Sequence, residues 1–186
     1  VAVIDVGPGA INRASNYSAA QTLIDLNNPA NDTGSLDTFE LWPFTGYSLA
    51  NCKVGTFYED GAAGTYISRD YATIGAVTAG SKQTFSGLSI DVESGDYAGQ
   101  YSTAGYMEAD TSGFAGFYSK SGDQFGAGSQ TYILHSGDAV SIYATGTTVA
   151  ATSIKALNGT AIANIAKWNG IAIGSYKTIN GISNVS

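Results

Sequence analysis

Lys53-Val-Gly-Thr-Phe-Tyr58, Glu59-Asp-Gly-Ala-Ala-Gly64 and Thr65-Tyr-Ile-Ser-Arg-Asp-Tyr71 follow one another without a break. They read as strand, turn and strand. Runs rich in β-branched and aromatic residues flank a segment of two acids and two glycines, the composition of a hairpin loop. In the second run, alternation places Tyr66, Ser68 and Asp70 on one face.

The same period of two extends outward in both directions. Upstream, Leu36, Thr38, Glu40 and Trp42 alternate with Asp37, Phe39, Leu41 and Pro43, and the Phe39/Leu41 side is the better core face. Val1–Val6 is a short apolar run stopped by Gly7-Pro8-Gly9, a first strand. Ser18–Leu26 fits either helical turns or a strand, and its β-like surroundings favour strand. Downstream, Leu88, Ile90 and Val92 face away from Ser89, Asp91 and Glu93. Asp96–Tyr101, Phe114–Tyr118, Gln130–His135 and Ala139–Tyr143 complete the set. Short strands number roughly nine to eleven at the spacing of an all-β sandwich or barrel, and no long amphipathic stretch reads as helix. The expectation is a jelly-roll-like β-sandwich over residues 1–150. An immunoglobulin-like sandwich uses similar strands with different connections and is the alternative.

Ser94-Gly-Asp96 and Ser136-Gly-Asp138 each follow an apolar strand and precede a tyrosine by five residues, and Ser121-Gly-Asp123 repeats the tripeptide. Turn chemistry accounts for all three: glycine supplies a positive φ, and Asp bonds the backbone ahead of it. Asp96, Asp123 and Asp138 are oxygen ligands in type. Calcium, however, wants six to eight oxygens, and no dense acidic loop is present.

The last residues differ in kind. Leu157-Asn-Gly159, Trp168-Asn-Gly170 and Ile179-Asn-Gly181 recur every 11 residues, with Lys155, Lys167 and Lys177 preceding the Asn by three, two and three. Asn-Gly favours a type I′ turn, so each copy predicts a short strand, a tight turn and a short strand. Residues 151–186 form a separate repeat segment on this reading. An 11-residue unit cannot bury its own apolar face, so Trp168, Ile171, Ile173, Tyr176, Ile179 and Ile182 are the candidate assembly residues. They find cover on the main domain, on neighbouring copies, or on other chains in a trimer or filament.

Charge follows the same division. The chain has 186 residues, only 12% charged, with net charge −7. All 15 acids lie at or before Asp138, whereas residues 155–186 hold three lysines and no acid. The difference is −10 before the tail and +3 within it. Phosphate binding needs clustered Lys and Arg, so nucleic acid is not an expected partner. No apolar run of about 18 residues occurs to span a membrane, and Val1–Val6 does not read as a signal peptide. Cys52, the one cysteine, fits a buried small hydrophobe.

Lys155-Ala-Leu-Asn-Gly159, Lys167-Trp-Asn-Gly-Ile-Ala172 and Lys177-Thr-Ile-Asn-Gly-Ile182 resemble the C-terminal Asn-Gly repeats of uncharacterised phage-encoded and environmental bacterial β-rich structural proteins. The resemblance covers about a sixth of the chain by the repeat count. It implies a virion, tail-fibre or surface-filament context, extracellular or on a virion, and carries over no catalytic residue.

Chemistry finds few candidates. His135 has Ser136 and Asp138 beside it in sequence. On a strand-to-turn segment those side chains diverge, and no Gly-x-Ser-x-Gly elbow exists. One His and one Cys do not make a standard zinc site, and no cofactor fingerprint appears. The carboxylate pairs Glu59/Asp60, Asp91/Glu93 and Glu108/Asp110 read as exposed acids near turns. Binding is the stronger alternative to assembly. Tyr66, Tyr71, Tyr97, Tyr101, Tyr106, Tyr118 and Trp42 could stack on sugar rings of a cell-surface glycan if they gather on one face. Sequons occur at Asn16, Asn31, Asn158 and Asn184.

Overall fold

The computed structural model describes residues 2–148 and six pairs of residues in the C-terminal segment: 156–157, 160–161, 167–168, 171–172, 178–179 and 182–183. The chain divides into two compact units, Val1–Thr148 and Val149–Ser186.

Eight principal strands build the jelly roll of the main unit: β1 (Val3–Val6), β3 (Gln21–Asp25), β4 (Gly34–Leu41), β5 (Leu49–Glu59), β6 (Thr65–Val77), β7 (Gln83–Val92), β8 (Tyr97–Tyr101) and β14 (Ile142–Thr148). One sheet runs β1-β14-β4-β7, and the second contains β3-β8-β5-β6. In chain order these are the first, eighth, third and sixth principal strands against the second, seventh, fourth and fifth. That interleaving is a jelly roll, the double Greek key, and not the immunoglobulin arrangement. Every named pair of strands is antiparallel. The decisive hairpin is β5–β6, paired from Leu49↔Val77 to Glu59↔Tyr66.

Between the sheets lies the larger core. Ile4, Val6, Leu23, Leu36, Phe39, Leu41, Val54, Ile90 and Ile142 are all fully or almost fully buried there. Cys52 belongs to it, and burial pushes its thiol up to about 12. Leu36 corrects the simple alternation, because a bulge between Leu36 and Thr38 reverses the facing within β4 and brings Leu36 inward beside Phe39 and Leu41. Gln100 of β8 stands out: its amide is buried with no hydrogen-bond partner among the described residues.

The second sheet extends beyond the jelly roll. β10 (Phe117–Ser121) pairs with β3, and β12 (Ile133–His135) with β10, while β11 (Gln130–Thr131) pairs with β6 at the opposite edge. Gln130–His135 is therefore two strands and not one. Only Tyr132 separates them, so the two edges of the seven-stranded sheet come together and the sheet is nearly closed. Tyr132 turns inward there, which ends one strand and starts the next. The curled face encloses a second, aromatic core of Ile24, Phe57, Tyr66, Phe125 and Tyr132. A further small sheet, β13-β9-β2, joins β13 (Ala139–Val140), β9 (Tyr106–Asp110) and β2 (Ser15–Ser18). The sequence patterns do not mark β9.

The glycines of Ser94-Gly-Asp96, Ser121-Gly-Asp123 and Ser136-Gly-Asp138 have φ of 93°, 80° and 87°. Ser94-Gly-Asp96 and Ser136-Gly-Asp138 are turns, whereas Ser121 ends β10 and Gly122 bridges to Gln21, so the third tripeptide leaves a strand and the turn follows at Phe125-Gly126.

In the C-terminal unit, three hairpins recur. β15 (Ala156–Leu157) pairs with β16 (Thr160–Ala161), β17 (Lys167–Trp168) with β18 (Ile171–Ala172), and β19 (Thr178–Ile179) with β20 (Ile182–Ser183). The innermost pairs Leu157↔Thr160, Trp168↔Ile171 and Ile179↔Ile182 each enclose two residues, the Asn-Gly of the sequence.

Candidate functional site

Of the catalytic candidates that sequence raises, Glu59, Asp60 and Asp91 are exposed, while Glu93, Glu108, Asp110 and His135 are engaged in holding the fold. Arg13, with a fully buried side chain, organises one group of them. Its Nη1 donates to Asp110 Oδ2 at 2.7 Å, its Nε to Ser141 Oγ at 2.8 Å, and its Nη2 to the Gly9 carbonyl at 3.2 Å. Its backbone N–H donates to Glu108 Oε2, and its guanidinium stacks on Phe114 at 5.0 Å. Glu108 is buried, so the Glu108/Asp110 pair is not the exposed pair expected from sequence. Strand β9 carries it inward, and the tie to Arg13 holds the Asp110 carboxyl below its ordinary range against the opposing effect of burial. Arg69 takes up Asp96 and Glu93 and lies over the Tyr58 ring at 4.7 Å. Lys53 pairs with Asp123 at 2.6 Å. Asp96 also accepts from the Glu93 N–H and Asp123 from the Phe125 N–H, as turn-forming acids do. No group of three or more metal-ligating side chains is found among the described residues.

His135 meets Ser119, and not Ser136. Its Nε2 lies 2.8 Å from Ser119 Oγ and 3.0 Å from the Tyr17 hydroxyl. Its ring stacks on Phe117 at 4.7 Å and meets Tyr17 edge-on at 4.8 Å. Burial lowers the imidazole below its ordinary value, with Asp138 opposing. Ser119 is only 3% exposed, and both hydroxyls crowd one ring nitrogen. The cluster clamps β2, β10 and β12 together.

Asp25 is fully buried at the end of β3. Its Oδ1 accepts from the Asn27 N–H (2.8 Å) and Asn27 Nδ2 (2.7 Å), and Oδ2 accepts from the Val140 N–H (2.8 Å). Burial outweighs those donors and pushes the carboxyl up to about 7. The chain pattern gave no sign of it, because an acid closing an apolar strand looks like an exposed end.

The aromatics divide into two groups. Tyr66, Tyr97 and Tyr118 gather at the second core, where Tyr66 lies 5.9 Å from Tyr97 and 5.1 Å from Tyr118. They are packed or half-buried there, as sheet-face residues. Tyr71 packs on Phe125 at 5.2 Å, and Lys53 lies over its ring. The other group is open. Phe44 and Tyr47, from the β4–β5 connection, stack at 6.1 Å, and Tyr47 meets Tyr106 of β9 at 4.8 Å and 64°. Tyr47 is 51% exposed and Tyr106 37%. Sequence singled out Tyr106 but not Phe44 or Tyr47, whose partnership needs β9 in place. Trp42 lies just before this group on the chain and is half-buried.

Of the assembly candidates, Trp168, Ile171, Ile179 and Ile182 stand on the paired positions of the second and third hairpins. Ile173 and Tyr176 lie outside the described residues. Asn16 is exposed, whereas Asn31 is tied to β1, its Oδ1 accepting from the Asp5 N–H and its Nδ2 donating to the Val3 carbonyl. Compared with protein-family models, curated proteins and solved structures, the chain finds no match in any of the three.

Proposed function

We propose that the chain is a non-enzymatic structural subunit of an extracellular filament or a virion appendage of tail-fibre or decoration type, and that its copies associate partly through the C-terminal repeats. One observation carries this reading: three hairpins at an 11-residue period, each pairing two residues per strand among the described residues. A lone two-stranded hairpin is marginal in water even at full length, and three or more strands with a covered face are needed. Repeats of this size gain stability by stacking on like units, and the tail supplies three such units with no acid among them. The main unit has two cores built from its own described residues.

Light scattering on the full chain tests the proposal. An integral multiple of the 19.1 kDa chain mass, or a polymer, is the expected result. Replacing Gly159, Gly170 and Gly181 together by valine removes the residue the type I′ turns favour. That variant should fall to lower mass with the β-sheet signal of the main unit intact. A wild-type chain that stays at 19.1 kDa at high concentration would sink the assembly reading.

A further inference from the structure

Four stretches meet at one end of the jelly roll: residues 15–20, which lead into β3; 42–51, which join β4 to β5; 78–81, after β6; and 101–107, after β8. Backbone bonds interlace them. The Phe44 N–H donates to the Tyr106 carbonyl at 2.8 Å, Gly80 N–H to Pro43 O at 2.9 Å, Ala19 N–H to Gly105 O at 2.9 Å, and Thr103 N–H to Ala50 O at 2.9 Å. The Ala79 N–H also donates to Ser48 Oγ at 3.2 Å. The end is thus fixed by several independent strands and does not rely on one loop.

None of these four stretches contains a charged residue, in a chain with 23 of them. They supply hydroxyls and amides instead, among them Ser18, opposite Tyr106 in the β2–β9 register, and the exposed Thr45, two residues before Tyr47, whereas Asn51 Nδ2 donates to the Thr103 hydroxyl. Two half-exposed rings at 64° present an apolar floor and wall with uncharged hydrogen-bonding groups at the rim. Phosphate and carboxylate ligands want Lys or Arg, which is absent from these stretches. A protein partner needs roughly 800 Å² per side, and two half-exposed rings offer only part of that. A neutral sugar fits the combination: its axial C–H face lies on an aromatic ring, and its hydroxyls reach neutral donors and acceptors. Loops on a rigid sandwich are also where binding residues concentrate. We infer that this end of the main unit binds a neutral hexopyranose, stacked at the Tyr47–Tyr106 corner. The inference is independent of the assembly reading.

The test is titration of the full chain in solution with neutral oligosaccharides ending in galactose, glucose or N-acetylglucosamine, with sialylated and sulfated oligosaccharides in parallel. Saturable binding of a neutral sugar is expected. Tyr47→Ala and Tyr106→Ala should each weaken it at least tenfold, and Tyr47→Phe, which keeps the ring, by less than threefold. Thr45→Arg places bulk on the exposed rim without touching the core and should also abolish binding, which keeps the test decisive if an alanine variant unfolds. The triple glycine-to-valine tail variant should retain the wild-type affinity per site, so failure of assembly and failure of sugar binding are read separately. No neutral sugar bound at millimolar concentration, binding of anionic sugars alone, or unchanged affinity in Tyr47→Ala and Thr45→Arg would each overturn the inference. So would a fall in solution mass on Tyr47→Ala, which would make the corner a contact between copies.

Discussion

Asp25 is the residue whose setting has the clearest consequence. Three N–H donors favour its ionised form, yet full burial raises its carboxyl from 3.8 to about 7. In the unfolded chain the proton leaves near 3.8, and in the folded chain near 7. Between those values the folded state holds more protons, so the contribution of Asp25 is complete below about 3.8 and is lost as pH rises through 7. His135 acts in the opposite sense. Its folded value lies below 6.5, so its contribution is complete above 6.5 and is lost as pH falls beneath it. Melting temperatures measured from pH 5 to pH 8 should therefore fall toward the alkaline side in the wild type more than in Asp25→Asn. The comparison rests on slope, so a uniform loss of stability in the variant does not confound it. Parallel curves would mean that Asp25 is ionised throughout, with its three donors outweighing burial.

At the scale of the element, the second core depends on glycines as much as on aromatics. Gly99 lies at the centre of β8, and a Cβ built there would stand 2.5 Å from Phe57 Cε2 and 3.0 Å from the Leu23 carbonyl. Phe57 in turn packs on Phe125 at 4.9 Å, and on Tyr132 where the sheet edges meet. Gly99→Ala should displace Phe57 and cost about 1–3 kcal/mol by overpacking. A denaturant midpoint unchanged from wild type would show that the ring has room to move. The hairpin next to this core was legible, since Lys53–Tyr71 has the alternation and turn residues of its fold. The Asn-Gly hairpins were legible for the same reason, because their turn chemistry is local. What sequence could not show is long-range. Strand β9 is a short run with mixed facing, marked only once Arg13 and Glu108 are seen buried together. The break at Tyr132 appears only when β11 and β12 find opposite edges. Likewise Tyr106 is distant in sequence from Phe44 and Tyr47, and only the sheet connections make it their neighbour.

For the whole molecule, charge separates two ways in which the tail could drive association. The tail carries +3 and the preceding chain −10. If repeats from different copies cover one another, like charges approach and association is opposed at low salt. If instead each tail lies on the acidic unit of another copy, opposite charges attract. Screening lengths of about 30 Å at 0.01 M and 3 Å at 1 M span the range over which the charges of the tail lysines act. The proposal that repeats stack on repeats requires the weight-average mass to rise as salt increases from about 10 mM to about 1 M. Salt also strengthens apolar contacts modestly when its anions are excluded from the surface, so the series belongs in chloride and not in sulfate. Charge removal gives an independent check. Lys155→Gln, Lys167→Gln and Lys177→Gln together should raise the mass at low salt and flatten the salt dependence. A mass that falls with salt, and falls again in the triple glutamine variant at low salt, would place the tail on the acidic unit and refute repeat-on-repeat stacking while leaving association itself intact.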